Sequence, residues 1–306
     1  MTVGPLFVQL DLYVHTLGKH LKARFGQRVH KLSLHADFTC PNRDGTLGRG
    51  GCTFCNVASF SDESAKPLAQ QLAEERDKIG RARRYLAYFQ SYTNTYAEVA
   101  QLRQLYEEAL AAVDMVGLCV GTRPDCVPDP VLDLLAGYRQ AGKEVWLELG
   151  LQSANDATLE RVNRGHGFAA YADAVQRARL RQIPVCTHLV VGLPGEAPEE
   201  SLVTLERVLE AGVEGLKIHP LMLVKGSRLA APRYREGVAL MSQEAYIDLA
   251  VELIRRTPDE VVFHRVAATA KPPTLIGPAW CQQHLPVINA IAAELARRGP
   301  QGSART

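Results

Sequence analysis

Three cysteines stand in one glycine-rich, charged stretch, CPNRDGTLGRGGCTFC, running from Cys40 to Cys55. Such a composition continues neither a helix nor a strand, so the thiols belong on a loop, the kind of segment that carries sites. Two residues separate Cys52 from Cys55, a spacing at which two thiolates grip one metal centre, and eleven separate Cys40 from Cys52. Deprotonated sulfur is a soft donor that suits iron and zinc alike. No fourth cysteine follows in the neighbourhood. A structural zinc or an electron-transfer cluster normally takes four protein ligands, whereas a catalytic metal keeps one position open. As bare residue types the set also fits zinc, with His35 completing a group of three sulfurs and one imidazole.

The pattern Cys40-x11-Cys52-x2-Cys55, with Phe54 directly before the last cysteine, resembles the cluster loop of radical S-adenosylmethionine enzymes. The wider string HADFTCPNRDGTLGRGGCTFCN is similar to the branch related to the Elongator catalytic subunit, and most similar to the bacterial YhcC type. The commoner interval in that superfamily is C-x3-C-x2-C; the longer first interval is a feature of the Elongator-like branch. The resemblance implies a [4Fe-4S] cluster on Cys40, Cys52 and Cys55, whose open iron chelates the amino and carboxylate groups of S-adenosylmethionine. It also implies an electron donor such as flavodoxin or ferredoxin, and reductive cleavage that releases a 5′-deoxyadenosyl radical. The cofactor carries that chemistry, and the protein positions it and excludes water.

The elements that would hold such a loop are read from pattern. RVHKLSL, RYLAYFQ, MVGLCVG, EVWLELG, VCTHLVVG and GLKIHPLML read as six apolar strands. Helical segments fall between them, at about 64–83, 97–112, 130–142, 156–163, 171–182 and 196–212. Alternation of this kind predicts a parallel α/β fold. Periodicity does not separate a doubly wound sheet from a barrel; the resemblance implies a partial (β/α)6 TIM-like barrel with its site at the carboxyl ends of the strands. Three segments are expected: a helical lead-in over 1–27, a core over 28–230, and a C-terminal α/β extension over 231–306 that caps the open side. The extension carries an amphipathic helix around Tyr246, Leu249, Ala250, Leu253 and Ile254, a short strand in DEVVFHRV, and a last helix over 285–298.

Candidate site residues fall at the predicted strand ends. Many relatives carry a Gly-Gly-Glu motif after the second strand that holds the S-adenosylmethionine amino group; this chain has none, and Gln90 with the polar groups of SYTNT stands there, as substitute or as a turn bonded to itself. In GTRPDCVP, Arg123 is a fixed cation suited to a carboxylate, with Asp125 to orient it. By resemblance Glu148, Gln152 and Ser153 approach the ribose or methionine end of the cofactor, and Arg164 reaches its carboxylate. Glu148 follows Trp146 and Leu147 on a strand, so a buried carboxylate there needs partners. Ser153 and the residues after it also read as a helix cap. In VVGLPGE, Gly192, Pro194 and Gly195 resemble the segment that contacts adenine, although such a turn also simply ends a strand. His188 shares a strand face with Cys186 and Val190, near substrate or as an interior histidine with its own partners. His219 and the backbone around Leu221 lie by adenine in relatives, while Lys225 and Arg228 meet an anionic substrate or solvent. Trp280 and Cys281 read as core.

Composition bounds the rest. The 306 residues, 46% hydrophobic, make one large or two ordinary domains. A net charge of +2 is no global signature of a nucleic-acid binder. Arg76, Lys78, Arg81, Arg83 and Arg84, interleaved with Glu74, Glu75 and Asp77, read as a solvated helix face, with an RNA contact as the alternative. The other cysteines, Cys119, Cys126, Cys186 and Cys281, are too scattered for a disulfide scaffold, and the longest apolar runs are too short to span a bilayer. The expectation is a cytoplasmic chain with reduced thiols and no membrane partner. For substrate, the Elongator-like resemblance implies tRNA at a wobble uridine. GLQS and GLPGE are shared with the oxygen-independent coproporphyrinogen oxidase group, which gives a small metabolite or tetrapyrrole as the alternative. A zinc-stabilised nucleic-acid-binding protein without catalysis is the third reading.

Overall fold

The computed structural model describes residues 9–56, 66–79 and 83–304. Residues 64–65 and 80–82 of the helix expected over 64–83, with Arg81 among them, lie outside the described residues, as do the first eight residues and the last two. Nine strands are described: β1 (Val29–Leu34), β2 (Arg84–Phe89), β3 (Met115–Thr122), β4 (Glu144–Gln152), β5 (Val185–Val191), β6 (Gly215–Pro220), β7 (Leu223–Val224), β8 (Val262–Arg265) and β9 (Leu275–Gly277). Seven of them form one sheet in the order β1-β2-β3-β4-β5-β6-β8, parallel at every step. Since strands follow in sequence order and β1 does not pair with β8, the sheet is a barrel left open between its two edges. The strand expected in DEVVFHRV is the seventh member of this sheet, with Val262 N donating to Glu214 O at 2.9 Å. The pair β7 and β9 is antiparallel and ties the region after β6 to the C-terminal part.

Eleven helices are described: α1 (Leu17–Phe25), α2 (Pro41–Asp44), α3 (Leu68–Asp77), α4 (Val99–Ala111), α5 (Asp129–Gln140), α6 (Asp156–Arg161), α7 (Phe168–Leu180), α8 (Pro198–Ala211), α9 (Pro232–Arg235), α10 (Gln243–Arg256) and α11 (His284–Arg298). Among the described residues no helix is long and apolar enough to cross a membrane.

Parallel strands covered on both faces read as near-continuous apolar runs, which is why the sequence shows little alternation. The pleat still sorts β4: Val145, Leu147, Leu149 and Leu151 join the large outer core, packed with Leu132 of α5, Tyr171 of α7 and Leu205 of α8. Trp146 points the other way, into a small inner cluster with Val29, Leu86, Cys119, Cys186 and Val262, and Leu17 and Leu21 of α1 complete it. Helix α1 thus plugs the amino-terminal end of the barrel. Its start is capped by Thr16 Oγ1, which accepts from Lys19 N at 3.2 Å, and Gly26 at φ 70° ends it. Burying each leucine contributes about 1.5–3 kcal/mol. Just ahead of α1, Phe263 N donates to His15 O at 2.8 Å, so the lead-in lies along the β8 edge.

Candidate active site

The long interval between Cys40 and Cys52 folds back on itself. Cys40 is the extended residue before α2, and Pro41 takes the first helical position, where its missing N–H leaves nothing unsatisfied. Gly45, at φ 102°, ends the turn; Asp44 then bridges Arg49, and Gly51 N donates to Asn42 O at 2.8 Å. This returns Cys52 to the side of α2. Gly51 has φ 72°, and a Cβ there would lie 2.7 Å from Arg43 Nε, so both backbone and space require glycine. Cys55 N donates to Cys52 O at 3.0 Å, closing the C-x2-C turn. The segment after α6 fastens the loop: Thr53 N donates to Val162 O at 2.9 Å and Asn163 Nδ2 to Gly51 O at 2.8 Å, while Asn42 Nδ2 donates back to Asn163 O at 2.6 Å.

Cys40, Cys52 and Cys55 are free thiols that line one cavity of about 260 Å³ at the carboxyl ends of the strands. Arg164 Nη1 lies 3.4 Å from Cys52 Sγ, and Arg43 Nη2 donates to Cys55 O at 2.8 Å. Burial, and then Cys52, push the Cys55 thiol up, against the pull of Arg43 and Arg164. Those arginines are therefore the groups that favour thiolates here. Arg123 forks onto Asp125 at 2.9 and 2.8 Å and donates to Arg164 O at 2.9 Å. Gln152 and Arg164 converge over Gly150, where a Cβ would lie 2.8 Å from Gln152 Nε2 and 2.9 Å from Arg164 Nη2. Gln152 Oε1 and Arg164 Nε are buried with no hydrogen-bond partner among the described residues. A buried acceptor and a buried donor left unmatched on two residues that meet over Gly150 call for a polar partner.

Below this layer the barrel interior is charged. Glu148 is fully buried, and both its oxygens are occupied. Oε1 accepts from Lys31 and from His264 Nδ1 at 3.0 Å; Oε2 meets His188 Nε2 at 2.7 Å and Lys217 Nζ at 3.1 Å. Lys217 also donates to Tyr88 Oη, and the Tyr88 ring has Lys31 Nζ 4.5 Å and Lys217 Nζ 4.7 Å from its centroid. Burial pushes the Glu148 carboxyl up, but Lys217 and Lys31, with hydrogen bonds from both histidines, hold it well below the usual range. Burial and the lysines keep His188 down at about 4 and His264 at about 3, so both imidazoles are neutral at pH 7. Burial lowers Lys217 to about 8, against the pull of Glu148. Glu148, Cys186 and His188 present donor atoms within 4.8 Å of one another, but the lysines already fill both carboxylate oxygens, so the group is no cation site.

Of the residues singled out from sequence, Cys40, Cys52, Phe54, Cys55, Gln90, Arg123, Glu148, Gln152, Arg164, His219 and Leu221 line the cavity together. Phe54 and Leu221 belong to an apolar wall with Val190 and Leu193. His219 lies edge-on to His188, with ring centroids 6.4 Å apart. Ser153, Gly192, Pro194 and Gly195 do not line it. Ser153 is buried, bonded to Glu196 and accepting from Asn155 N at 3.0 Å, and Asn155 caps α6. Pro194 O accepts from Arg161 Nη1 at 2.7 Å, Gly195 packs on the same guanidinium, and Gly192 packs on Met241. Sequence reasoning missed Lys31, Arg43, Tyr88, Lys217, His264 and Arg265. A signal existed in two cases: VHKLSL and GLKIHP each place a lysine inside an apolar strand, where an unpaired charge is costly.

Known proteins match this arrangement. The Radical SAM superfamily profile matches residues 47–208, and the Radical SAM C-terminal domain profile matches residues 213–297. Protein YhcC of Escherichia coli (strain K12) is 54% identical over 299 residues, covering 97% of each chain. The tRNA uridine(34) acetyltransferase of Dehalococcoides mccartyi is 33% identical over 117 residues, 37% of this chain and 25% of its own length. Among solved structures, the archaeal Methanocaldococcus infernus Elp3 with an N-terminal deletion superposes with a TM-score of 0.61 at 16% identity, over 89% of this chain and 64% of that one. The half-open barrel, the three-cysteine loop at its mouth and these matches place the chain in one family: it belongs to the radical SAM superfamily.

Proposed function

We propose that Cys40, Cys52 and Cys55 hold a [4Fe-4S] cluster, that S-adenosylmethionine binds above Gly150, and that the substrate is tRNA, at a wobble uridine. The superfamily membership supports the reaction class, and one observation carries the site: the unmatched Gln152 Oε1 and Arg164 Nε beside three free thiols. The donor set fits the group, since three soft ligands leave one position open. When bound, the cluster and S-adenosylmethionine supply one-electron reductive bond cleavage. The chain's own residues do the rest. Arg164 offers its free N–H to a carboxylate, and Gln152 offers its free carbonyl to an ammonium. Arg43, Arg123 and Arg164 offset the negative charge that thiolates bring, and Phe54, Val190 and Leu221 shield the site from water.

The case for RNA rests on the rim. Lys225, Arg228, Arg233, Tyr234 and Arg235 are exposed, and a Cβ at Gly50 of the cysteine loop would lie 3.8 Å from Arg228 Cδ, so this ridge borders the loop. Cations around an exposed ring suit a phosphate backbone and a stacked base. The likeness to a tRNA uridine(34) acetyltransferase points the same way.

Anaerobic reconstitution, with metal content, visible spectrum and 5′-deoxyadenosine release from S-adenosylmethionine and dithionite, tests the first part. About four irons per chain and release of 5′-deoxyadenosine are expected; a colourless protein holding one zinc overturns it. Filter binding with bulk tRNA tests the second: binding falls steeply with salt and weakens in the double change Arg233→Gln, Arg235→Gln. Absence of salt-sensitive binding overturns the RNA reading in favour of a small substrate.

A further inference from the structure

The charged layer beneath the cofactor zone has more positive charge than its single carboxylate balances. Among the described residues that line the cavity, Glu148 alone is acidic, against Arg43, Arg123, Arg164, Lys217 and Arg265. The first three surround the cysteine loop. Lys217 and Arg265 are neighbours on β6 and β8, paired in register, and Lys31 lies across Glu148 from them. Lys217 is two positions before His219 on β6, and Glu148 four positions before Gln152 on β4, about 13 Å of extended chain deeper. The floor thus lies deeper in the same cavity than Gln152, and Glu148, expected by resemblance near the cofactor, has both its oxygens taken by the floor.

Each contact there is accounted for except those facing open space. Glu148 is saturated by four partners and has no capacity for a fifth. Lys217 uses two of its three N–H groups, on Tyr88 Oη and Glu148 Oε2, and lines the cavity. Arg265 is exposed, lines the same cavity and carries a fork of donors. His264 Nε2 is buried without a partner among the described residues. His264, Arg265, Ala268 and Thr269 also line a second pocket, between the start of α1 and the β8 edge. Neutral imidazoles leave two largely buried cations, Lys31 and Lys217, against one anion, with the exposed Arg265 beside them, and cations held out of water are matched by an anion or cost free energy.

We propose that Lys217 and Arg265 bind the oxyanion group, a carboxylate or a phosphate, of a small reactant distinct from S-adenosylmethionine, held on the barrel floor. The proposal rests on the radical reading for its role, since a reactant there lies beneath the cofactor zone, but its binding is measurable independently. Tyr88 and Glu148 fix the direction of the Lys217 ammonium. Arg265 supplies the planar fork, reached from the β8 edge.

Inorganic phosphate and propionate, titrated separately by calorimetry into anaerobically reconstituted protein with excess S-adenosylmethionine, test this. At least one saturates at one site per chain, and which one names the chemistry. Arg265→Gln, at an exposed position that leaves the fold intact, weakens it about tenfold or more, and Lys217→Met abolishes it. No binding of either anion up to about 10 mM overturns the proposal. So does binding that Arg265→Gln leaves unchanged, or that disappears only in the Arg233→Gln, Arg235→Gln protein, which places the anion on the outer ridge. Release of 5′-deoxyadenosine, followed in parallel, separates the two readings. Intact release without anion binding sinks the floor site alone, and anion binding without release leaves the floor standing while removing the radical chemistry.

Discussion

The two ends of the cavity are built in opposite ways. At the mouth, the cysteine loop is held largely through its backbone: glycines at positive φ, a main-chain bond to Val162 and asparagine side chains bonded to main-chain carbonyls set its shape, and its thiols are left free for a ligand. At the floor, the shape comes from side chains on rigid strands, where Glu148 gathers two lysines and two histidines and keeps nothing spare. One region leaves its ligand groups free for a cofactor, the other ties its one carboxylate up and leaves Lys217 and Arg265 at the cavity surface. Loss of a thiol at the mouth therefore shows in ligand content, and loss of Glu148 at the floor shows in stability.

Five outcomes would sharpen or break that contrast. The largest is at the mouth: Cys40→Ala, Cys52→Ala or Cys55→Ala each abolishes cluster binding with the fold intact by circular dichroism, and full iron retention by any of them ends the ligand assignment. Next, Glu148→Gln leaves Lys31 and Lys217 without their counter-charge and costs about 3–5 kcal/mol in urea unfolding. A loss below about 1 kcal/mol would mean the floor is not a closed network.

The third concerns pH. A histidine whose folded pKa lies below its ordinary 6.5 binds protons more readily when unfolded, so stability falls as pH drops from about 6.5 toward about 4 for His188 and about 3 for His264. The slope is up to about 1.4 kcal/mol per pH unit for each imidazole. Glu148, depressed when folded, adds loss of the same sign further down, below its ordinary 4.5. Urea midpoints between pH 7 and 4.5 should show this, with a shallower slope in His264→Gln; an unchanged slope there would sink the account. Fourth, Arg164→Lys keeps the charge but loses the planar fork, and should raise the KM for S-adenosylmethionine about tenfold while iron content holds. Smallest, Cys281→Ala costs about 1 kcal/mol of packing and leaves 5′-deoxyadenosine release unchanged, because Cys281 is buried in a separate apolar cluster with Leu275. Lost release would give that thiol a role.

The same contrast explains what the sequence disclosed. The mouth was readable because its chemistry is local: three thiols and their glycines lie within sixteen consecutive positions. The strands were readable because parallel pairing demands apolar runs, and most predicted boundaries fall within two or three residues of the observed ones. The floor was not readable as a site, because Lys31, Glu148, His188, Lys217 and His264 come from five strands and acquire meaning only when the barrel curls. Glu148 showed that it needed partners but not which ones. The strand holding His264 and Arg265 was recognised as a strand, yet its place as seventh member of the sheet depends on pairing with β6, a long-range contact that leaves no local mark. Gly192 and Gly195 mark the opposite case: their positive φ serves packing on Met241 and Arg161, beside the cavity without lining it.

The seam across the amino-terminal end has a consequence for how the chain is made. His15 pairs through Nδ1 with Asp259 O across 244 residues, and its N–H donates to the Gln301 side chain across 286. The segment ahead of α1 therefore waits until 244 and 286 further residues have been made for these two partners. During that interval α1 has β1 to β5 to pack on but lacks Val262 and the β8 edge, and an unpaired strand edge is the condition in which strands pair with the wrong neighbour. Fastening the lead-in to β8 follows the making of the whole sheet, so the hazard lies at the seam that joins them.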